Sequence, residues 1–234
     1  MGLGIKGFQK TSLIDYPGKI SSVIFLEGCN YRCPYCHNPE LVLRTDKNKE
    51  IDPDELIAFL KTQKKWIDGI CMTGGEPTLN PLLPDFINKL KKEGFLINLH
   101  TNGTNPKMIR QLIKDKLIDY VAMDIKGTKE KYPQITGVRI DLSLIQDSID
   151  LIRKSGIDYE FRTTAVPAFF TEDDALKIAK WLKGSKTFYI QQFGSSHATL
   201  DPLFQNTGTY DLNQLEGFKK IMEPYFEKVE IRGS

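Results

Sequence analysis

The sequence predicts one α/β domain, an open sheet or partial TIM barrel of the (β/α)6 type with mostly parallel strands. Three observations lead there. Short β-branched or apolar runs alternate with longer amphipathic stretches along the whole chain. The turns between them are short, which implies parallel pairing through right-handed crossovers. No Pro/Gly/Ser-rich linker or break in composition divides the 234 residues, a length able to bury a full core. About six βα units are too few for a closed eight-fold barrel.

Taken in order, Ser22 to Leu26 reads as the first strand. Asp52 to Lys64 reads as a helix entered through Asp52-Pro53, an N-cap followed by proline at the first helical position. Ile67 to Met72 is the second strand, and Leu82 to Glu93 a helix stopped at Gly94. Phe95 to Leu99 is the third strand, followed by a helix from Pro106 to Lys114 capped by Asn105. Tyr120 to Asp124 is the fourth strand, and Leu142 to Lys154 a long helix ending at Gly156. A strand from Asp158 to Val166 and a helix from Glu172 to Leu182 follow. The series closes with a strand from Thr187 to Gln192, a helix from Leu212 to Pro224 and a short strand from Val229 to Ile231. Arg44 to Lys49, Lys126 to Gly137 and Gly194 to Gly208 read as loops, the last a candidate lid that contains His197. Within the single domain 1–234, residues 1–21 form an N-terminal extension, 22–192 carry the βα units, and 193–234 supply the C-terminal loop, helix and strand.

Composition excludes several classes. Thirty-two basic against thirty acidic residues leave a formal charge of +2, with no global pull toward nucleic acid or an anionic membrane. No apolar run approaches the length of a membrane span, and the N-terminus lacks the apolar segment and cleavage site of a secretory signal. A cytoplasmic location is the expectation.

Four cysteines are few, and three of them, Cys29, Cys33 and Cys36, fall within one short loop. A disulfide framework would spread its cysteines through the chain. Clustering points to a metal or an iron–sulfur cluster. Three thiolates satisfy three irons of a cubane and leave the fourth open to an external ligand. The competing reading is a structural zinc bound by the same three cysteines with His37 or Cys71. Such zinc sites usually pair two knuckles, whereas this spacing, C-x3-C-x2-C, has one. Cys71, inside the second strand, otherwise reads as a buried small hydrophobe.

In a parallel α/β sheet ligands bind beyond the carboxyl ends of the strands, and the unusual residues cluster there. Cys29 follows the first strand, Thr73-Gly74-Gly75-Glu76-Pro77 the second, Thr101-Asn102-Gly103 the third and Asp124-Ile125-Lys126 the fourth. Gly74 and Gly75 allow close backbone approach, and the Glu76 carboxylate can accept hydrogen bonds from an ammonium group. A Lys126 ammonium suits a ligand carboxylate, and Asp124 a ribose or a cation.

C-x3-C-x2-C after a first strand, with Tyr35 before the last cysteine, resembles the radical S-adenosylmethionine superfamily, as does the Gly-Gly-Glu turn one βα unit later. The resemblance implies a partial (β/α) barrel core, a [4Fe–4S] cluster on Cys29, Cys33 and Cys36, and S-adenosylmethionine as cofactor. It also implies cofactor contacts from Tyr35, Gly74, Gly75, Glu76, Asn102, Asp124 and Lys126. Asp124-x-Lys126 and Thr101-Asn102-Gly103 are similar to elements of the activating enzymes of glycyl-radical proteins, although His100 stands where an Asp often precedes the latter. Arg162, in Phe161-Arg162-Thr163-Thr164-Ala165-Val166-Pro167, resembles their fifth-strand arginine; an ordinary salt bridge is the alternative. Gln191 and Gln192 are candidate ligand contacts at the sixth strand's end.

The opening Leu13-Ile14-Asp15-Tyr16-Pro17-Gly18 and Cys36-His37-Asn38-Pro39 resemble the activating proteins of anaerobic ribonucleoside-triphosphate reductase. This implies a glycyl-radical enzyme as partner and a low-potential electron donor such as flavodoxin or ferredoxin. The same core also serves small-molecule enzymes such as 7-carboxy-7-deazaguanine synthase, the second functional expectation.

Overall fold

A computed structural model describes residues 2–44, 49–196, 198–205 and 207–233. His197 of the expected lid and most of the expected loop at 44–49 lie outside the described residues. Among the described residues eight strands follow one another in a single sheet in chain order, so the expected α/β class with mostly parallel strands is realised. Two compact units are distinguished, one comprising residues 1–30, 40–122 and 144–158, the other residues 31–39, 123–143 and 159–234.

The first unit begins with β1 (Ile5–Ser12), which pairs antiparallel with β2 (Ser21–Leu26). β3 (Gly69–Gly74) and β4 (Leu96–Thr101) then add in parallel. Helix α1 (Pro39–Leu43) begins at the edge of this unit, followed by α2 (Pro53–Thr62), α3 (Leu83–Lys92) and α4 (Pro106–Lys114). The cap read from Asp52-Pro53 is made as expected: one Asp52 carboxylate oxygen accepts from the amides of Asp54 and Glu55, both at 2.9 Å. Asn105 caps α4 through the Met108 amide at 3.2 Å. The core is built from the apolar faces of these elements, with Ile24, Leu60, Ile70, Met72, Leu90, Ile97 and Leu112 wholly buried.

β5 (Tyr120–Asp124) passes from the first unit into the second. After it come α5 (Tyr132–Thr136), α6 (Leu142–Lys154), whose body belongs to the first unit, and β6 (Asp158–Ala165). The second unit continues with α7 (Glu172–Trp181), β7 (Ser185–Gln192), α8 (Leu212–Met222) and β8 (Phe226–Arg232). β6, β7 and β8 are parallel neighbours, and Ile178, Phe188, Leu215 and Met222 of this unit are wholly buried. Among the described residues no helix is long and apolar enough to cross a membrane.

Three elements depart from expectation. β1 lies within the expected N-terminal extension, where no strand was read, because its alternation is blurred by Lys6, Gln9 and Lys10 on an edge strand that needs apolar residues on one face only. α1 and α5 are five residues each, too short for helical periodicity to register.

Candidate functional site

Within the first unit, the ends of β2, β3 and β4 are stitched together by backbone. Gly75 N donates to Leu26 O at 2.8 Å, and Glu76 N to Gly28 O at 2.7 Å. This holds the turn after β3 directly against the segment leading to Cys29. A Cβ on Gly75 would stand 2.0 Å from the Gly28 carbonyl oxygen, and one on Gly74, whose φ is +116°, 2.3 Å from Leu26 O. Both glycines are therefore required by the approach of the two chains.

Glu76 is buried, and its carboxylate is held by four protein donors. Oε1 accepts from Thr78 Oγ1 at 2.5 Å, Thr101 Oγ1 at 2.7 Å and Thr78 N at 3.2 Å, while Oε2 accepts from Asn102 N at 2.6 Å. Burial pushes its pKa up, and the hydrogen bonds from Thr78, Asn102 and Thr101 only partly offset this. Asn102 Nδ2 donates to Asn30 Oδ1 at 2.9 Å, and Asn102 Oδ1 accepts from Thr104 Oγ1 at 2.7 Å. The side chains of Glu76 and Asn102, expected as cofactor contacts, thus also lock β3 to β4 and to the residue after Cys29.

His100 is buried with its Nε2 at 3.2 Å from both Asp15 O and Asn98 Nδ2. It is a strand-end histidine with protein neighbours. Cys71 is wholly buried, as expected, and its thiol donates to the same Asp15 carbonyl at 3.2 Å.

The second unit holds Cys33, Tyr35 and Cys36 on a tight turn in which Cys36 N donates to Cys33 O at 3.0 Å. The segment expected as a lid is tied to this turn: Leu200 N donates to Cys36 O at 2.9 Å and Asp201 N to Pro34 O at 2.8 Å. Tyr35 is buried among Phe169, Phe193 and Phe204, with ring centroids 6.1 to 6.5 Å away, and His37 stacks on Phe193 at 5.4 Å. Burial pushes the Tyr35 phenol up, so it remains a neutral hydroxyl. Leu200 and Asp201 of that segment are therefore held directly against the cysteine turn.

On the same unit, Asp124 at the end of β5 binds two cations. Its Oδ1 accepts from Arg162 Nε at 2.6 Å and its Oδ2 from Lys126 Nζ at 3.0 Å. Burial pushes the Asp124 carboxyl up, but the Arg162 guanidinium and the Lys126 ammonium outweigh it and hold the pKa well below the usual carboxylate range. Burial likewise pulls Lys126 down, and Asp124 more than reverses the effect. Arg162 makes the salt bridge given as its alternative reading. Gln192 Nε2 donates to Tyr210 O at 2.8 Å, a structural contact.

None of the four cysteines forms a disulfide, and a donor set of thiols suits an iron–sulfur cluster, for which thiolates are the preferred ligands. Among the described residues no three Cys, His, Asp or Glu side chains form a group able to hold one metal ion; a cubane, by contrast, spreads its thiolates over separate irons.

The model of the radical SAM superfamily matches residues 23–182. The chain belongs to that superfamily. It is 38% identical over 233 residues to a Methanocaldococcus jannaschii protein provisionally named a glycyl-radical enzyme activating enzyme, covering 97% of this chain and 95% of the relative. It is also 29% identical to the pyruvate formate-lyase-activating enzyme of Clostridium pasteurianum, over 76% of each chain. Among solved structures, Streptococcus suis SuiB bound to S-adenosylmethionine superposes with a TM-score of 0.68 at 15% identity, over 88% of this chain. The chain spans about half of that protein (48%), and the likeness shows the shared fold. Within the superfamily the chain falls in the family of glycyl-radical enzyme activating enzymes, which are oxidoreductases. Radical SAM enzymes use a [4Fe–4S] cluster together with S-adenosylmethionine, so both cofactors expected from the sequence are those of its family.

The sequence reading placed each of these residues at a strand end but did not find Thr78 and Thr101 as partners of Glu76, nor Glu160 and Arg232 beside Arg162. Thr78 had a local signal, standing two residues after Glu76 as the first donor of a capped turn. The others are joined only by the fold.

Proposed function

We propose that this chain reductively cleaves S-adenosylmethionine and abstracts a Cα hydrogen from a glycine of a partner glycyl-radical enzyme, and that the partner is anaerobic ribonucleoside-triphosphate reductase. The observation that carries the activase reading is the 38% identity maintained over nearly the full length of both chains. The partner reading rests on Leu13 to Gly18 and on Cys36-His37-Asn38-Pro39, which resemble the activating proteins of that reductase. Pyruvate formate-lyase is the second partner, favoured by the Clostridium relative.

In this reading Cys29, Cys33 and Cys36 hold the cluster, which when bound supplies the electron that splits the cofactor's sulfonium into methionine and a 5′-deoxyadenosyl radical. Gly74 and Gly75 let the turn lie flat against the cysteine segment, and Glu76 and Asn102 shape it to receive the ammonium group. Lys126 pairs with the methionine carboxylate, and Asp124 keeps that lysine charged and aimed. Tyr35, wedged among three phenylalanines, stiffens the cysteine turn so that neighbouring backbone faces the adenine. No side-chain general base is needed. The chain acts as one functional domain over residues 1–234, in the cytoplasm, with flavodoxin or ferredoxin as electron donor.

The test is anaerobic mixing of the reconstituted protein, a reductant and S-adenosylmethionine with each candidate partner. A glycyl-radical EPR doublet on the reductase, and none on pyruvate formate-lyase, is the expected result. A doublet only on the lyase overturns the partner. Turnover of a small molecule without any protein partner would instead support the 7-carboxy-7-deazaguanine synthase-like reading.

A further inference from the structure

Behind Asp124 and Lys126, the second unit buries more charge than the two-residue motif needs. Glu160 and Arg162 stand two apart on β6 and so share one face of the strand; they are 1% and 8% exposed. Arg162 donates to Asp124 through Nε and lies with Nη1 3.9 Å from Glu160 Oε1. Glu160 is gripped in turn by Arg232, from the last strand, through a fork: Nη1 to Oε1 at 2.7 Å and Nη2 to Oε2 at 3.0 Å. The Arg232 guanidinium lies 3.7 Å from the centre of the Tyr189 ring. Lys126, Asp124, Arg162, Glu160 and Arg232 therefore alternate in sign across β5, β6 and β8.

Such a series is a poor way to gain stability. Apolar side chains of similar volume would fill the same space at no desolvation penalty. What a two-pronged Arg–carboxylate pair supplies is direction, because both partners are planar and both contacts must be met together. Arg232 is fixed on two sides, by its fork and by the Tyr189 face it covers. The Glu160 carboxylate so placed lies 3.9 Å from the Arg162 guanidinium and attracts it, and Arg162 donates to Asp124. Remove Glu160, and the guanidiniums of Arg162 and Arg232 face each other without a carboxylate between them.

We propose that Glu160 and Arg232 are positioning residues for S-adenosylmethionine, acting through Arg162 and Asp124 on the Lys126 ammonium. The proposal rests on the reading above in which Lys126 receives the cofactor's carboxylate. Arg232 stands 72 positions from Glu160 and is joined to it only by the fold.

The test uses the full-length protein with its cluster reconstituted anaerobically, in the forms R232M, R232K, E160Q and K126M. The dissociation constant for S-adenosylmethionine is read by equilibrium dialysis on the unreduced protein, with iron content and thermal melting alongside. Loss of the fork weakens binding by about tenfold in R232M, a typical effect of removing a supporting hydrogen-bond partner, with iron content unchanged. R232K, which keeps the charge but not the fork, recovers part of the loss, and E160Q weakens binding in the same direction. Should R232M not fold, R232K and E160Q carry the comparison. Unaltered binding in the Glu160 and Arg232 variants, with K126M weakened, overturns the positioning role alone. Unaltered binding in K126M as well overturns the reading of Lys126, and the positioning role with it.

Discussion

The turn after β3 and the charged series behind β5 each hold a carboxylate at a strand end, Glu76 buried and Asp124 half-buried, and they hold it by opposite means. Around Glu76 every donor is neutral: two threonine hydroxyls and two backbone amides. Around Asp124 both donors are cations. Neutral donors do not repay the loss of water around a charge, so the Glu76 pKa rises, whereas the cations overpay it and that of Asp124 falls. The first arrangement fixes backbone; the second fixes charge. On the function proposed above the two supports serve different ends: one holds a turn against the Cys29 segment, the other keeps the Lys126 ammonium charged.

Breaking the charged arrangement has the larger effect. Asp124→Ala leaves Arg162 and Lys126 without their shared carboxylate and is expected to lower stability by about 3 kcal/mol, measured by urea unfolding, with cofactor binding lost. Glu76→Ala strands Thr101, Asn102 and Thr78 donors in a dry turn and costs about 2 kcal/mol by the same measurement. If the two losses came out in reverse order, the contrast between charged and neutral support would be wrong.

The two carboxylates also respond to pH in opposite senses. The folded-state pKa of Asp124 is depressed, so its contribution is fully present above the ordinary Asp value, about 3.9, and is lost as pH falls below it. The folded-state pKa of Glu76 is raised, so its contribution is full below the ordinary Glu value, about 4.3, and is lost as pH rises through the raised value. Unfolding midpoints followed from acid to neutral pH will show Asp124→Asn removing part of the acid-side loss. Glu76→Gln will remove part of the loss on the rising side. The smallest effect is that of Asn102→Ala, which takes away the Asn30 and Thr104 contacts and costs about 1 kcal/mol. Its melting curve shifts while the Asp124 pH response stays as in the parent protein.

This contrast also marks how far the sequence could be read. Helix starts were legible where capping chemistry is local, as at Asp52-Pro53 and Asn105-Pro106. The parallel strands showed through their apolar runs. β1 did not, because an edge strand with Lys6 and Lys10 carries a broken alternation. In the candidate site the close backbone approach at Gly74 and Gly75 was legible, because a Gly-Gly pair at a strand end is a local signal. The distant partners of the two carboxylates were not: Thr101 stands 25 residues from Glu76, and Arg162 38 from Asp124. Sequence shows which groups need support; only the fold shows what supports them. Arg162 is the case in point, since its motif suggested a ligand contact and a salt bridge equally.

One measurement bears on all of this most directly: the fate of S-adenosylmethionine after reduction of the anaerobically reconstituted protein. About four irons per chain and release of 5′-deoxyadenosine with methionine on reduction are expected, with the release abolished in Cys29→Ala, Cys33→Ala or Cys36→Ala. A protein that takes up zinc in place of the cluster and releases no 5′-deoxyadenosine would contradict that expectation.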